Sequence, residues 1–156
     1  MAAAHPTSYE LMLVVDPQDW ETYHRIRRVE LFEARGRIGV YDPDRPEERA
    51  ANHFPLLLKW NGRGIGTTRL DLRDHGLAVV RLVAITKAEQ RKGHGRVLAA
   101  RTEDFARRKG VTRLIVNAAS DAVGFYERIG FVRETWDPAE LVGWNVDSVQ
   151  MAKALA

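Results

Sequence analysis

Residues 79–117, VVRLVAITKAEQRKGHGRVLAARTEDFARRKGVTRLIVN, restrict the fold more than any other stretch of the chain. An apolar, β-branched run that starts at Leu77 and ends near Thr86 reads as a strand. The glycine-bearing turn Gln90-Arg91-Lys92-Gly93-His94-Gly95 follows. The next segment, to about Lys109, carries an apolar stripe of Val97, Leu98 and Phe105, helped by Ala99, Ala100 and Ala106. Glu103 and Arg107, and Asp104 and Arg108, stand four residues apart, acid before base, as a helix favours. Gly110 suits its C-terminal stop, and Val111–Val116 is a second apolar run. A strand, a helix and a strand at this spacing close as a parallel crossover. The chain therefore belongs to the α/β class.

The remaining segments add antiparallel pieces. Leu11–Val15 predicts a first strand, and Asp19 is placed to cap a helix from about Trp20 to Glu33, stopped at Arg35-Gly36. Residues 36–46 form a loop rich in Gly, Pro and Asp, and Pro46 suits the start of a short helix to about Asn52. Phe54–Trp60, the turn Asn61-Gly62, a strand Ile65–Arg73 and the turn at Asp74-His75-Gly76 make an antiparallel meander with the strand that follows. Ser120 or Asp121 would cap a short helix ending at Arg128, before strands Phe131–Trp136 and Asn145–Lys153. On the middle strand Leu70 and Leu72 share one face and Arg69, Asp71 and Arg73 the other, which is then solvated, ion-paired or turned to a cleft. No repeat or linker divides the chain: residues 1–9 read as a tail and 10–156 as a single domain.

Composition narrows the function. The absence of cysteine removes disulfides, thiolate metal sites and cysteine nucleophiles, and the five histidines show no metal-ligand spacing, so no metal is expected. No apolar stretch approaches the ~20 residues that span a bilayer, and the N-terminus lacks the pattern of a secretion signal; a cytoplasmic protein without membrane contact is expected. Net charge is +3, with basic residues interleaved with acidic ones. Clusters such as Arg25/Arg27/Arg28 read as solvated helix faces, and no nucleic-acid partner is implied.

Gly93 and Gly95 let a ligand approach the main chain. The first turn of the following helix offers unpaired N–H groups and the positive end of its dipole. Arg91, Lys92 and Arg96 add charge, so the segment can cradle a pyrophosphate. It is neither a Walker loop nor a Rossmann fingerprint, and turn chemistry alone would also explain two glycines before a helix.

Its context supplies more. Gln90-x-x-Gly93-x-Gly95 matches the Q/R-x-x-G-x-G/A loop of the GNAT superfamily of N-acetyltransferases. Leu82-Val-Ala-Ile85 resembles that family's fourth strand, and Asn117-Ala-Ala followed by Gly124-Phe-Tyr-Glu-Arg-Ile-Gly-Phe131 resembles the segment after its fifth. Arg25–Phe32, Asn52-His-Phe-Pro-Leu-Leu-Leu and Ile65-Gly-Thr-Thr-Arg-Leu-Asp71 are similar to its first helix and its second and third strands, so the resemblance spans roughly residues 10–153.

The resemblance implies a mixed sheet of six or seven strands with about four helices, whose parallel fourth and fifth strands splay apart at a bulge. It implies transfer of acetyl from acetyl-CoA to a primary amine of a small molecule or peptide, and admits a homodimer. Val83, Ala84 and Ile85 would pair with the pantetheine arm, residues Gln90, Arg91, Lys92, Gly93, His94, Gly95 and Arg96 would hold the pyrophosphate, and Asn117 would lie near the cofactor's amides. Backbone N–H groups near Val83–Ile85 could stabilise an oxyanion, and Tyr126 would protonate the departing thiolate. Some members carry a glutamate just before the apolar run of the fourth strand; Val80-Arg81-Leu82 stand there instead. Glu30, Glu33 and Asp71 are the candidate bases, and Tyr41 lies in an acidic acceptor-side segment with Asp42, Asp44, Glu47 and Glu48. The rival reading is a non-catalytic acyl-CoA-binding module of the same fold.

Overall fold

In the computed structural model, residues 8–155 are described. The tail expected for residues 1–9 lies outside them except for Ser8 and Tyr9, and Tyr9 already opens the first strand. The strands are β1 (Tyr9–Leu13), β2 (His53–Trp60), β3 (Arg63–Leu72), β4 (Leu77–Ile85), β5 (Arg113–Ala118), β6 (Val132–Arg133) and β7 (Val149–Ala154). The helices are α1 (Pro17–Arg27), α2 (His94–Arg108) and α3 (Val123–Arg128), with short 3₁₀ turns between elements. One sheet holds all seven strands in the order β1-β2-β3-β4-β5-β7-β6. β4 and β5 are parallel, in register from Leu77–Arg113 to Val80–Val116. The pairs β1–β2, β5–β7 and β6–β7 are antiparallel.

The chain divides into two compact units, and the divisions fall inside β3 and β4. The first runs to Arg69 and resumes over Leu82–Thr102. Its core has two clusters. Val14, Tyr23, Ile26, Leu57 and Ala84 tie α1 to the sheet, and Leu58, Ile65 and Leu98 receive the side chains of Val83 and Ile85. Ala84 thus points to one face of β4 and its two neighbours to the other, as the twofold repeat of a strand requires. The second unit holds Leu70–Arg81 and the chain from Glu103. Val79, Ile115 and Ala152 from β4, β5 and β7 form its centre, with Leu77 and Trp136 packed on them.

Several boundaries differ from the sequence reading. Helix α1 begins at Pro17, behind Asp16, because proline presets the first helical φ and has no N–H to satisfy. Asp19 is not the cap; its carboxylate lies 3.0 Å from Lys59 Nζ. The α-helix ends at Arg27, continues as a π-turn over Arg28–Phe32, and stops at Gly36 in the left-handed region. The helix expected after Pro46 is a 3₁₀ turn to Arg49. Neither Ser120 nor Asp121 caps a helix with its side chain; a 3₁₀ turn, Ser120–Ala122, leads into α3. β6 is shorter than Phe131–Trp136 because the Gln150 side chain takes over the partner role, accepting from Trp136 N at 2.9 Å and Asp137 N at 2.8 Å. β7 starts late because Gly143–Asn145 forms a local 3₁₀ turn. The turn at Asn61-Gly62 has φ of 50° and 83°, the left-handed pair that a two-residue hairpin requires.

Burial also corrects the reading of the charges. Arg27, taken for part of a solvated face, is 4% exposed, and its Nη1 lies 2.5 Å from Glu48 Oε2. Arg69 Nη1 reaches the other oxygen of Glu48 at 2.7 Å, so Glu48 is a core ion-pair acceptor and no part of an acidic surface. Asp71 is buried and pairs with Arg81. Of Arg69, Asp71 and Arg73, only Arg73, just past the end of β3, is exposed.

Candidate functional site

In the first unit the site begins at Leu82, whose φ of +56° is left-handed. A residue with a β-carbon pays about 1 kcal/mol or more for that conformation, and such strain concentrates where a strand is deliberately bent. The register with β5 covers Leu77–Val80 only. Backbone groups of β4 from Leu82 to Ile85 therefore lie beyond the part of the strand in register with β5. On leaving β4 the chain is held by Thr86 N–H donating to Ile65 O at 2.8 Å and makes a 3₁₀ turn over Lys87–Glu89.

The turn that follows is fixed at its entry by the Gln90 side-chain amide, which donates to Ile85 O at 2.9 Å. Gln90 therefore shapes the turn through its side chain. Arg91 and Gly93 both have positive φ, 64° and 85°. A β-carbon at Gly93 would meet nothing within 4 Å, so glycine is needed there for its φ and not for space. Arg91, Lys92 and Arg96 are exposed at the start of α2, where the first-turn N–H groups have no intrahelical acceptors. Exposed backbone donors, a glycine at the apex and three exposed cations, of which Lys92 faces Glu89 at 3.4 Å, fit a pyrophosphate group.

His94 differs from its neighbours. Its imidazole is 3% exposed. Nδ1 lies 2.7 Å from the Tyr9 hydroxyl, Nε2 lies 3.4 Å from Glu89 Oε1, and the ring stands 4.6 Å from that of Trp60. Its side chain is turned inward from the turn's exposed surface.

A cavity of about 560 Å³ lies in the same unit, lined by Thr22, Ile26 and Glu30 with Gly64, Thr86 and Glu89. Gly64, at its lining, has no room for a side chain: a β-carbon there would come within 2.7 Å of Thr22 Cγ2. Glu30 borders it from the π-turn and accepts the Lys87 N–H at 2.9 Å. Glu33 is exposed and pairs with Arg28 at 3.4 Å. The Tyr41 hydroxyl lies 2.5 Å from His24 Nδ1, and its ring packs on Phe32. Burial raises the Tyr41 hydroxyl to about 12.

The second unit holds Asn117, Tyr126 and Asp71. The Asn117 amide is engaged at both ends, donating to Glu140 Oε1 at 3.1 Å and accepting from Gln150 Nε2 at 3.0 Å. Glu140 also receives Arg73 at 2.7 Å and Arg81 at 3.0 Å. Burial would raise its carboxyl, but the hydrogen bonds and charge of Arg81 and Arg73, with Asn117, hold it down to about 2. Sequence reasoning missed Glu140: it lies in a 3₁₀ turn, Pro138–Glu140, with no motif around it, and its partners come from β4, β5 and the residue that follows β3. Asp71 is held by Arg81 Nε at 3.0 Å. Tyr126 is 7% exposed, edge-on to Phe125 and Phe131. Burial pushes its hydroxyl up to about 12, so it carries its proton at neutral pH.

Known proteins match this arrangement. The acetyltransferase (GNAT) domain profile covers residues 38–155. Among solved structures, an acyl-CoA N-acyltransferase from Pseudomonas aeruginosa is 18% identical, with a TM-score of 0.77 over 96% of this chain and 100% of that one. The PaiA N-acetyltransferase of Thermoplasma acidophilum, solved with coenzyme A, is 17% identical, with a TM-score of 0.70 over 95% of this chain and 99% of that one. A provisionally assigned N-acetyltransferase from Lactobacillus plantarum is 22% identical, with a TM-score of 0.80 over 96% and 99%. At these identities the structural likeness shows the fold.

Proposed function

The chain belongs to the GNAT acetyltransferase family, and on that premise we propose that it transfers acetyl from acetyl-CoA to a primary amine. The observation that carries this reading is β4: its register with β5 stops at Val80, Leu82 is left-handed, and the Gln90–Gly95 turn at the head of α2 begins five residues after Ile85. A strand edge left open needs an amide-bearing partner, and a helix start rich in N–H groups and cations takes phosphates.

Acetyl-CoA would bring an activated thioester. The backbone of Val83, Ala84 and Ile85 would hold its pantetheine arm, and the N–H groups and cations of Arg91–Arg96 its pyrophosphate. Asn117, engaged by Glu140 and Gln150, would present what remains of its amide's hydrogen-bonding capacity to the cofactor. Tyr126 would donate its O–H to the departing sulfur. A phenol near 12 is a weaker acid than a thiol of about 8.5. Tyr126 would thus steady the departing thiolate as a hydrogen-bond donor and keep its own proton, while the proton lost by the acceptor amine would pass to solvent.

The base is the distinctive point. Asp71 and Glu33 are paired with arginines, and Glu30 accepts a backbone N–H. Glu140, held near 2, is too weak a base. An amine that is already partly neutral needs little help. α-Amino groups, at about 8, meet that condition at neutral pH; lysine-type amines, at about 10.4, do so a few hundredfold less. The acceptor is therefore an α-amino group, on an amino acid or a peptide N-terminus.

Thiol release from acetyl-CoA with paired acceptors tests this reading. A dipeptide with a free N-terminus should react at neutral pH, whereas an N-blocked lysine peptide should need pH 9 or above to approach the same rate. Equal rates at neutral pH would rule out the acceptor class. The presence of Arg81 where some family members carry glutamate favours a second reading, a non-catalytic acyl-CoA-binding module. That reading predicts tight CoA binding with no thiol release from any amine.

A further inference from the structure

On the reading that the Gln90–Gly95 turn grips a pyrophosphate, we infer that His94 is its positioning residue, acting from behind the turn through Tyr9 and Glu89. The turn needs such a device. Two of its residues, Arg91 and Gly93, are left-handed, with φ of 64° and 85°, and one of them has a β-carbon. Strained turns persist where surrounding contacts over-determine them. Yet Arg91, Lys92, Gly93 and Arg96 are exposed and can supply little packing. The Gln90 amide fixes only the entry, through Ile85 O.

The exit is fixed by His94, the first residue of α2. A carboxylate only accepts, so the nitrogen facing Glu89 carries the imidazole's proton and Nδ1 accepts from the Tyr9 O–H at 2.7 Å. This bond ties α2 to β1, a strand 85 positions away in the chain. The ring packs at 4.6 Å from Trp60 and edge-on at 5.6 Å to Tyr9, so two aromatic neighbours hold it.

Glu89 gives the device its second function. Its carboxylate stands 3.4 Å from His94 Nε2, 3.4 Å from Lys92 Nζ and 3.6 Å from Arg63. None of these contacts is short. Nε2 has no hydrogen-bond partner despite full burial, so Glu89 is the acceptor available to it. An unsatisfied buried donor is costly. When an incoming phosphate draws Lys92 away, Glu89 is released to close on Nε2. The ion pair that screens the empty turn then becomes the strap that holds the filled one. His94 therefore supports cofactor affinity without touching the cofactor through its ring.

The test is CoA affinity by calorimetry together with kcat and the KM for acetyl-CoA. His94→Ala and Tyr9→Phe should each raise the Kd for CoA and the KM about tenfold, with kcat within twofold of the parent. His94→Asn, whose amide can again accept from Tyr9, should recover most of the Tyr9-dependent part. Should His94→Ala fail to fold, Tyr9→Phe, which removes one oxygen and keeps the ring, carries the test alone. A Kd within twofold of the parent in Tyr9→Phe and in any folded His94 variant overturns the inference, as does a fall in kcat at unchanged Kd. If the parent protein does not bind CoA, the proposed function itself fails, and the two failures are distinct.

Discussion

Gly66 gives the sharpest test of how β3 sets the geometry of β4. A β-carbon at Gly66 would stand 2.7 Å from Ile85 Cδ1 and 3.2 Å from Ala84 O. Ordinary carbon–carbon contact lies near 3.5–4.0 Å, so Gly66→Ala demands a shift of about 1 Å from Ile85. Over-packing of this kind costs about 1–3 kcal/mol. The clash involves one terminal methyl, and Ile85→Val removes it. Alone, Ile85→Val should cost about 0.5–1.5 kcal/mol for the lost burial. In the Gly66→Ala background it should cost nothing or restore stability, leaving only the tighter approach to the Ala84 carbonyl. The expected coupling is about 1–2 kcal/mol, against the ~0.3–0.5 kcal/mol scatter of independent sites. For a chain of this size 1 kcal/mol moves Tm by roughly 2–4 °C, so thermal unfolding of the four proteins measures it. Additive single effects would refute the reasoning, because they would mean that Cδ1 is not the obstructing atom. Since Ile85 is one of the residues proposed to pair with pantetheine, Gly66→Ala should also weaken CoA binding, and the double variant should regain part of it.

Other outcomes follow from the same contacts. Tyr126→Phe should lower kcat by about 10²-fold, the effect of losing one hydrogen-bond donor to a developing negative charge, at unchanged KM for acetyl-CoA; an unaltered kcat would remove its role. Gly93→Ala should lose about 1–2 kcal/mol to backbone strain alone, since its methyl meets no atom, and thermal unfolding with CoA calorimetry would show whether stability and affinity fall together. The Glu140 carboxyl is held at about 2, below its unfolded value, so its stabilisation is full above about pH 4.5 and is lost as pH falls towards 2. Glu140→Gln should flatten the acid limb of stability over that window by about 1 kcal/mol after solvent screening, and an identical acid limb would count against the network.

Much of the fold was legible because its signals are local. The apolar runs of β2 and β4, the Asn61-Gly62 hairpin and the helical stripe of α2 each act within a few residues, and the strand-helix-strand spacing points to a parallel pair. Helix starts were less legible: Asp16 and Asp19 look alike in sequence, and proline at the first turn decided between them. The extent of β6 could not be read, because its would-be partner on β7 is a side chain, Gln150. Among the proposed site residues, Gly93 and the exposed cations announced themselves through backbone freedom and charge. Asn117 and Asp71 could be named but not their engagements, and Glu140 could not be named at all.

The class of fold, the family and the turn proposed to hold a phosphate could be read from short-range pattern in the sequence. Tertiary structure decided which charges are available. Arg27 and Glu48 look solvent-facing in the sequence and are buried ion-pair partners; of the alternatives open for Asp71, the buried ion pair with Arg81 is the one found; His94 looks like a loop residue and is a core one. The reason is that hydrophobic periodicity is encoded along the chain, whereas the partner of a charge is fixed by which distant segments the sheet brings within about 3 Å.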